Sequence, residues 1–380
     1  PTTAQHVLND LDGKIDAIVD GGECDVGIES TVITLATEVP RLLRPGGITL
    51  SQLEDVLGQV DVDPAVLSEL KEGVAPASPG MKYKHYSPKA EVYIVEGSIE
   101  SFRFLIDSEK QEGDMALCFN GEEKDISVEC LSFGDEKDIN SQAHLLFAQL
   151  RRFDELGAKR VFVRAPSNEG VGLGVYNRLL RAAAFKVISP PTIYGLTGQT
   201  GAGKSTVGKM LSGKGYLIVD GDVAAREVVR KGSSVLDELA KAFGSDILDS
   251  DGELIRSALA KKAFADEDSR QKLNSITHPA VTRWSIDFIK KNLTQSHKGV
   301  VIDAAAIFDS DIQRYCTKMI VVIAPEEERL ERILKRDSIT CDAAMLRIKA
   351  QKDEQYYKER ADILVRNYAP HTLDVELELL

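Results

Sequence analysis

Cysteine is sparse and scattered in this sequence. Five occur in 380 residues, at Cys24, Cys118, Cys130, Cys316 and Cys341, and no two form a CxxC pair. That argues against a zinc cluster or a disulfide framework and for a reduced, cytosolic protein. Long hydrophobic runs are lacking as well. A stretch such as MIVVIA at 319–324 is strand length, far short of the ~20 apolar residues of a membrane span. The first residues carry no basic-plus-apolar signal segment, and there is neither an internal repeat nor a low-complexity tract. Positive charge is in deficit: 47 Lys and Arg face 60 Asp and Glu, a net charge of -13. Non-specific binding to nucleic acid or to an anionic membrane is therefore not expected as the main activity. A local basic pocket for small phosphorylated ligands remains compatible with that charge.

What is present fits a soluble globular chain, 43% hydrophobic and 28% charged, of a length that predicts two or three domains. The stretch KEGVAPASPGMKYKHYSPKA (71–90) has no apolar periodicity and reads as a linker. A second break falls at Ser189-Pro190-Pro191. Between them, EVYIVEG, MALCF and RVFVR (160–164) read as strands. Asn140 is expected to cap a helix carrying Leu146, Leu150 and Phe153 on one face, and GVYNRLLRAAA reads as a closing helix. This alternation predicts a small parallel α/β sheet. After the second break, YLIVD (216–220), GVVID (299–303) and MIVVI (319–323) are buried-strand runs. PEEERLERILKR reads as a helix with Pro325 at its first position.

The densest chemical signal is Gly198, Gln199, Thr200, Gly201, Ala202, Gly203, Lys204, Ser205, which fits GxxxxGK[ST] without mismatch and is followed by Thr206. Glycines let successive backbone N–H groups turn toward phosphate oxygens, and the helix that follows adds its positive end. Lys204 would reach the β- and γ-phosphates, and the Ser205 hydroxyl would ligate Mg²⁺. No NKxD motif supports a GTPase. LSGKG at 211–215 lies within the helix that the loop opens, so it is no ABC signature.

Kinases acting on small metabolites add carboxylates near the acceptor and basic residues on a lid. Asp220 and Asp222 follow a strand, where Asp222 would accept the proton of a substrate hydroxyl; two solvated loop carboxylates are the plainer alternative. Asp303 ends GVVID at the position of an acid that organises Mg²⁺. Arg332 and Arg336 share a helix face, which ordinary surface ion pairing also explains. His278 reads on its own as a helix-end or packing histidine.

These pieces together resemble dephospho-CoA kinase over 192–380: GLTGQTGAGKSTV, VDGDVAAR, the HP at 278–279, VVIDAAAIF, ERILKRD, Gln351 and ADILVRN ending at Asn367. The resemblance implies ATP-dependent phosphorylation of the ribose 3′-hydroxyl of dephospho-CoA, with Mg²⁺ and a parallel-sheet P-loop fold. It implies Asp222 as the catalytic carboxylate and Lys204 and Arg336 acting on the phosphates. Arg332 and Asn367 would join the loop residues in holding ATP, and Asp220, Arg226 and His278 would line the acceptor side. Ser205 and Asp303 would serve the metal. Three departures stand out: Ile255 where the family has an acid before Arg256, Ala304–Ala306 after Asp303, and Arg329 where a glutamine is usual. Another small-metabolite kinase, or a nucleotide-binding module without catalysis, are the alternatives.

Before the second break, CDVGIESTV (24–32) and LLRPGGIT (42–49) bring together hydroxyls at Ser30 and Thr31, the cation Arg44 and a Gly46-Gly47 turn. From chemistry alone this is either an anion-holding set or a strand and turn. Likewise SPGMKYKHYSP (78–88) is a solvated spacer or a cover over a site. The first 190 residues resemble the C-terminal part of a two-domain threonylcarbamoyl-AMP synthase. On that resemblance, residues 1–58 are part of its catalytic domain, 59–90 its linker and 91–189 its accessory, Rossmann-like α/β domain. Ser30, Thr31 and Arg44 would be nucleotide and substrate residues. The family's basic and SxN motifs precede Pro1, so the chain is expected to be a fragment that makes no threonylcarbamoyl-AMP. The whole is expected to be a cytoplasmic α/β fusion that meets ATP and dephospho-CoA. It would have an indirect link to tRNA modification and contact neither nucleic acid nor membrane directly.

Overall fold

The computed structural model describes residues 2–24, 26–69, 78 and 88–378. It divides into two compact units, 1–190 and 191–380. No helix among the described residues is long and apolar enough to cross a membrane.

The first unit opens with helix α1 (Ala4–Leu11), then β1 (Val32–Thr34), β2 (Arg41–Arg44), α2 (Leu50–Leu57) and β3 (Asp61–Val62). These strands form a small sheet in the order β1-β2-β3, with β1 antiparallel and β3 parallel to β2. Its core is small: Leu42, Val60, Ala65 and Val66, completed by Leu173 from much later in the chain. The segment read as linker from 59 onward therefore begins as structure. Most of 71–87, including the Lys-Tyr-His stretch, lies outside the described residues.

A second sheet follows, built from β4 (Glu91–Val95), α3 (Ile99–Glu109), β5 (Asp114–Cys118), β6 (Glu129–Ser132), α4 (Ile139–Leu156), β7 (Arg160–Arg164), α5 (Gly172–Ala182) and β8 (Val187–Ile188). It is parallel throughout, in the order β6-β5-β7-β4-β8. Asp138, rather than Asn140, caps α4: its carboxylate accepts from the Ser141 amide at 3.2 Å. Leu146, Leu150 and Phe153 of α4 face the core together with Leu179 of α5, as the 3.6-residue period requires.

The second unit comprises β9 (Ile193–Gly198), α6 (Lys204–Gly213), β10 (Tyr216–Asp220), α7 (Gly221–Glu227), α8 (Ser234–Phe243), α9 (Arg256–Ala263), α10 (Glu267–Asn292), β11 (Gly299–Asp303), β12 (Lys318–Ile323), α11 (Glu326–Asp337), α12 (Cys341–Lys349), α13 (Glu354–Lys358), β13 (Ile363–Arg366) and α14 (Leu373–Glu376). Its five strands are all parallel, in the order β10-β11-β9-β12-β13. Central strands covered on both faces read as continuous apolar runs, and Val300, Val301, Ile320, Val321 and Val322 are fully buried. Val207 and Leu211 of α6 pack on the sheet beside Met210. Helices α7 to α10 close over a separate cluster around Leu239, Ile247 and Leu259. Pro325 stands at the N-cap of α11, one position before the first helical residue.

Because β9 is central, the chain leaves it first toward β10 and β11 and later returns on the other side as β12 and β13. The end of β9 is thus the switch point where ligands bind in open parallel sheets.

Candidate functional site: the loop after β9 and the adjoining cavity

The loop from Gln199 to Gly203 leaves this switch point and enters α6 through Gly203, whose φ is 102°. Gly201 has φ 80°, and a Cβ there would lie 2.6 Å from the Arg329 carbonyl oxygen. A side chain at either glycine would be strained by conformation and by contact.

The loop's outer side is held by other elements. The Thr200 amide donates to Gln351 Oε1 at 2.7 Å, and Gln199 Nε2 donates to the Lys352 carbonyl at 3.2 Å. Asn367 Nδ2 donates to the Ala202 carbonyl at 2.7 Å. Arg332 Nη1 reaches the Gly201 and Ala202 carbonyls at 3.4 Å, while its Nη2 donates to the Asn367 carbonyl at 2.8 Å and to Glu328. The Ala202 amide is also engaged, donating to the Gln199 carbonyl at 3.0 Å, so it is the loop's amides other than those of Thr200 and Ala202 that are left to a ligand. Ser205 and Thr206 stand exposed on the first turn of α6.

On the adjacent strands, the β10–β11 register places Asp220 beside Asp303. Lys204 Nζ is ion-paired with Asp303 Oδ1. Burial raises the Asp303 carboxyl above its ordinary value against the pull of Lys204, and Asp220 and Asp222 add to the rise. Gly208 lets this happen: a Cβ there would sit 3.3 Å from Asp303 Oδ2. Asp220 caps α7 by accepting from the Asp222 and Val223 amides at 2.8 and 3.0 Å. That bond orients the first turn, which carries Asp222. Arg226 Nε in turn donates to the Asp222 carbonyl at 3.0 Å.

Asp222 opens onto a cavity of about 420 Å³ lined by Arg256, His278, Ala304–Ala306 and a largely apolar wall that includes Leu259 and Phe264. Thr197 Oγ1 fixes the Ala304–Ala306 turn by donating to the Ala305 carbonyl at 3.1 Å. His278 is not at a helix end. It lies midway along α10, just before Pro279, and faces this cavity. A phosphate-cradling loop, a lysine among carboxylates and a pocket with one carboxylate at its mouth are thus contiguous.

The comparisons with known proteins bear on both units. Residues 192–371 match the family model for dephospho-CoA kinase. Dephospho-CoA kinase of Corynebacterium glutamicum is 40% identical over 173 residues, which are 46% of this chain and 86% of that relative. The second unit belongs to the dephospho-CoA kinase family. Residues 48–184 match the model for the C-terminal domain of threonylcarbamoyl-AMP synthase, and residues 1–46 match a model described as telomere recombination. Threonylcarbamoyl-AMP synthases of Bacillus subtilis and Pyrococcus abyssi are 43% and 39% identical over half of this chain. The chain spans 54% and 55% of those two relatives' lengths. The protein therefore joins a synthase region to a dephospho-CoA kinase domain.

Within that kinase domain, the expected residues gather at the loop and the cavity with two exceptions: Arg226 is exposed on α7 and outside the cavity lining, and Arg336 is held elsewhere. Arg336 is bonded to Asp337 at 2.7 and 2.9 Å, and Arg347 meets the same carboxylate at 2.7 Å. It is not drawn to the loop in this structure. Gly208, which leaves room beside the Asp303 carboxylate, was not foreseen, and Gln199 was expected only as a loop residue, not through its bond to the Lys352 carbonyl; no spacing in the sequence marks a contact made between distant segments.

In the synthase region, Arg44 Nε donates to the Ser30 carbonyl at 2.9 Å. Thr31 Oγ1 exchanges two hydrogen bonds with the Ile48 backbone, at 2.7 and 3.0 Å. The three residues are adjacent, with the Thr31 hydroxyl engaged in holding the turn.

Proposed function

We propose that residues 192–371 catalyse transfer of the γ-phosphoryl group of ATP to the ribose 3′-hydroxyl of dephospho-CoA. The observation that carries this reading is Asp222, set by the Asp220 cap on the lining of an open, largely apolar cavity beside the phosphate loop. The loop amides other than those of Thr200 and Ala202 would hold the triphosphate together with Lys204, and Arg332 and Asn367 would keep the loop in its cradle shape. The acceptor would enter the cavity with its 3′-hydroxyl toward Asp222. As the oxygen attacks the γ-phosphorus, Asp222 takes its proton, and the bond from that phosphorus to the β,γ-bridging oxygen breaks to release ADP.

An exposed hydroxyl at Ser205 and the carboxylate of Asp303 are hard oxygen donors. They suit Mg²⁺, which retains several waters and borrows phosphate oxygens. When bound, the ion would neutralise charge developing between the β- and γ-phosphates. Arg226 and His278 would line the acceptor side, and Arg336 would act only after leaving Asp337.

The reading makes the protein a cytoplasmic enzyme whose ligands are small molecules. Lys204→Ala and Asp222→Asn should each abolish CoA formation, with ATP binding kept in the Asp222 variant; full turnover by Asp222→Asn would overturn the base assignment.

For residues 1–189 we propose a synthase fragment linked indirectly to tRNA modification, with no turnover of its own in this chain. A sheet whose core is as small as that around Leu42 cannot stand for a complete catalytic domain. Robust ATP- and threonine-dependent pyrophosphate release by this chain would refute that.

A further inference from the structure

Behind the phosphate loop lies a buried cation with two unpaired donors. Arg329, on the first turns of α11, is only 5% exposed. Neither its Nε nor its Nη1 has a hydrogen-bond partner among the described residues. The charges acting on it are the carboxylates of Glu326 and Glu354 and the Tyr357 hydroxyl, and desolvation outweighs them, lowering its affinity for its proton. Its backbone is packed directly on the loop: a Cβ at Gly201 would lie 2.6 Å from Arg329 O and 3.0 Å from its Cα and Cβ. Gln199, the loop residue next to it in burial at 4% exposed, offers no counter-charge, and its Oε1 is itself unpartnered.

A buried charge whose donors are not all satisfied is costly, and its field is poorly screened inside the protein. On the other face of the same loop is the cradle that, on the kinase reading above, receives a triphosphate. We infer that Arg329 is an electrostatic positioning residue for the nucleotide, acting through the loop without touching it, so that the polyphosphate adds to the counter-charge that Glu326 and Glu354 supply only in part. Bound nucleotide then relieves the cost of burying the guanidinium, and the gain grows with the number of phosphates.

This inference rests on the kinase reading, and the two can fail separately. ATP, ADP and AMP affinities are measured by titration calorimetry, with AMP by competition, for wild type, Arg329→Met, Arg329→Gln and Arg329→Lys. Met and Gln are expected to weaken ATP binding about tenfold, ADP binding less and AMP binding hardly at all, with Lys restoring most of the loss. The ligand-free Met variant is expected to melt no lower than wild type, since a buried charge with unsatisfied donors has been removed. Equal losses for all three nucleotides, a Met variant that binds ATP within twofold of wild type, or one that melts below it would overturn the inference. Wild-type protein that binds no ATP would overturn the kinase reading along with it.

Discussion

Asp222 and Asp303 stand on neighbouring segments, and their surroundings fit them for the different duties proposed above. Asp222 sits on the first turn of α7 at the cavity mouth, where it is open to a substrate. Asp303 is sunk beside Lys204 with its pKa raised by burial. Replacing Asp222 by Asn should lower turnover by roughly 10²–10⁴, while ATP affinity stays within a few-fold. For Asp303 the folded-state value lies above the unfolded one, so its contribution to stability is full below the unfolded pKa and is lost as pH rises through the folded pKa. An Asn at 303 does not titrate. The melting temperature of Asp303→Asn minus that of wild type should therefore increase from acid to neutral pH, and calorimetry showing a flat or narrowing difference would contradict the shift. At this scale the sequence was informative because loop, lysine and carboxylates all lie next to strand ends that an apolar run marks. Arg329 was legible only as a departure from the family; it is buried, with its backbone against the loop at Gly201, a contact between distant segments that no local pattern announces.

Elements act here mainly by holding one another's ends. The phosphate loop is shaped by the segment between α12 and α13, through Gln351 and Lys352, and by the residue after β13, Asn367. Gln351→Ala removes one neutral hydrogen bond, typically ~1 kcal/mol, so the KM for ATP should rise about fivefold with kcat little changed. In the first unit, α5 plays the corresponding part: Asn177 Nδ2 and Arg181 Nη2 donate to the Val66 and Ala65 carbonyls, and Leu173 fills the small core. Asn177→Leu should speed amide exchange around residues 60–66 by about fivefold. Strands and long helices of both parallel sheets could be read from apolar runs and 3.6-residue spacing. Strands β1 and β3, three and two residues long, could not, because runs that short are below the four to eight residues over which an alternation can be read. The cap of α4 was misplaced by two residues: Asp138 and Asn140 are both competent caps, and only the helix start decides between them.

On the scale of the whole molecule, the chain divides between Pro190 and Pro191 into two units with separate cores. Each carries its own five-stranded parallel sheet, so each is expected to unfold as its own transition. Calorimetry should resolve two peaks, with saturating ATP moving only the one that belongs to the kinase unit; a shift of both would argue for coupled folding. The synthase relatives are about twice as long as the part of them represented here. The kinase relative is matched over 86% of its length, which is why the account of function centres on that unit. Its central claim is tested most directly by incubating this chain with ATP, Mg²⁺ and dephospho-CoA and following both products. The account predicts CoA and ADP in equal amounts, dependent on dephospho-CoA and absent in Asp222→Asn. ATP turnover that ignores dephospho-CoA, or none at all in a folded protein that binds ATP, would contradict it.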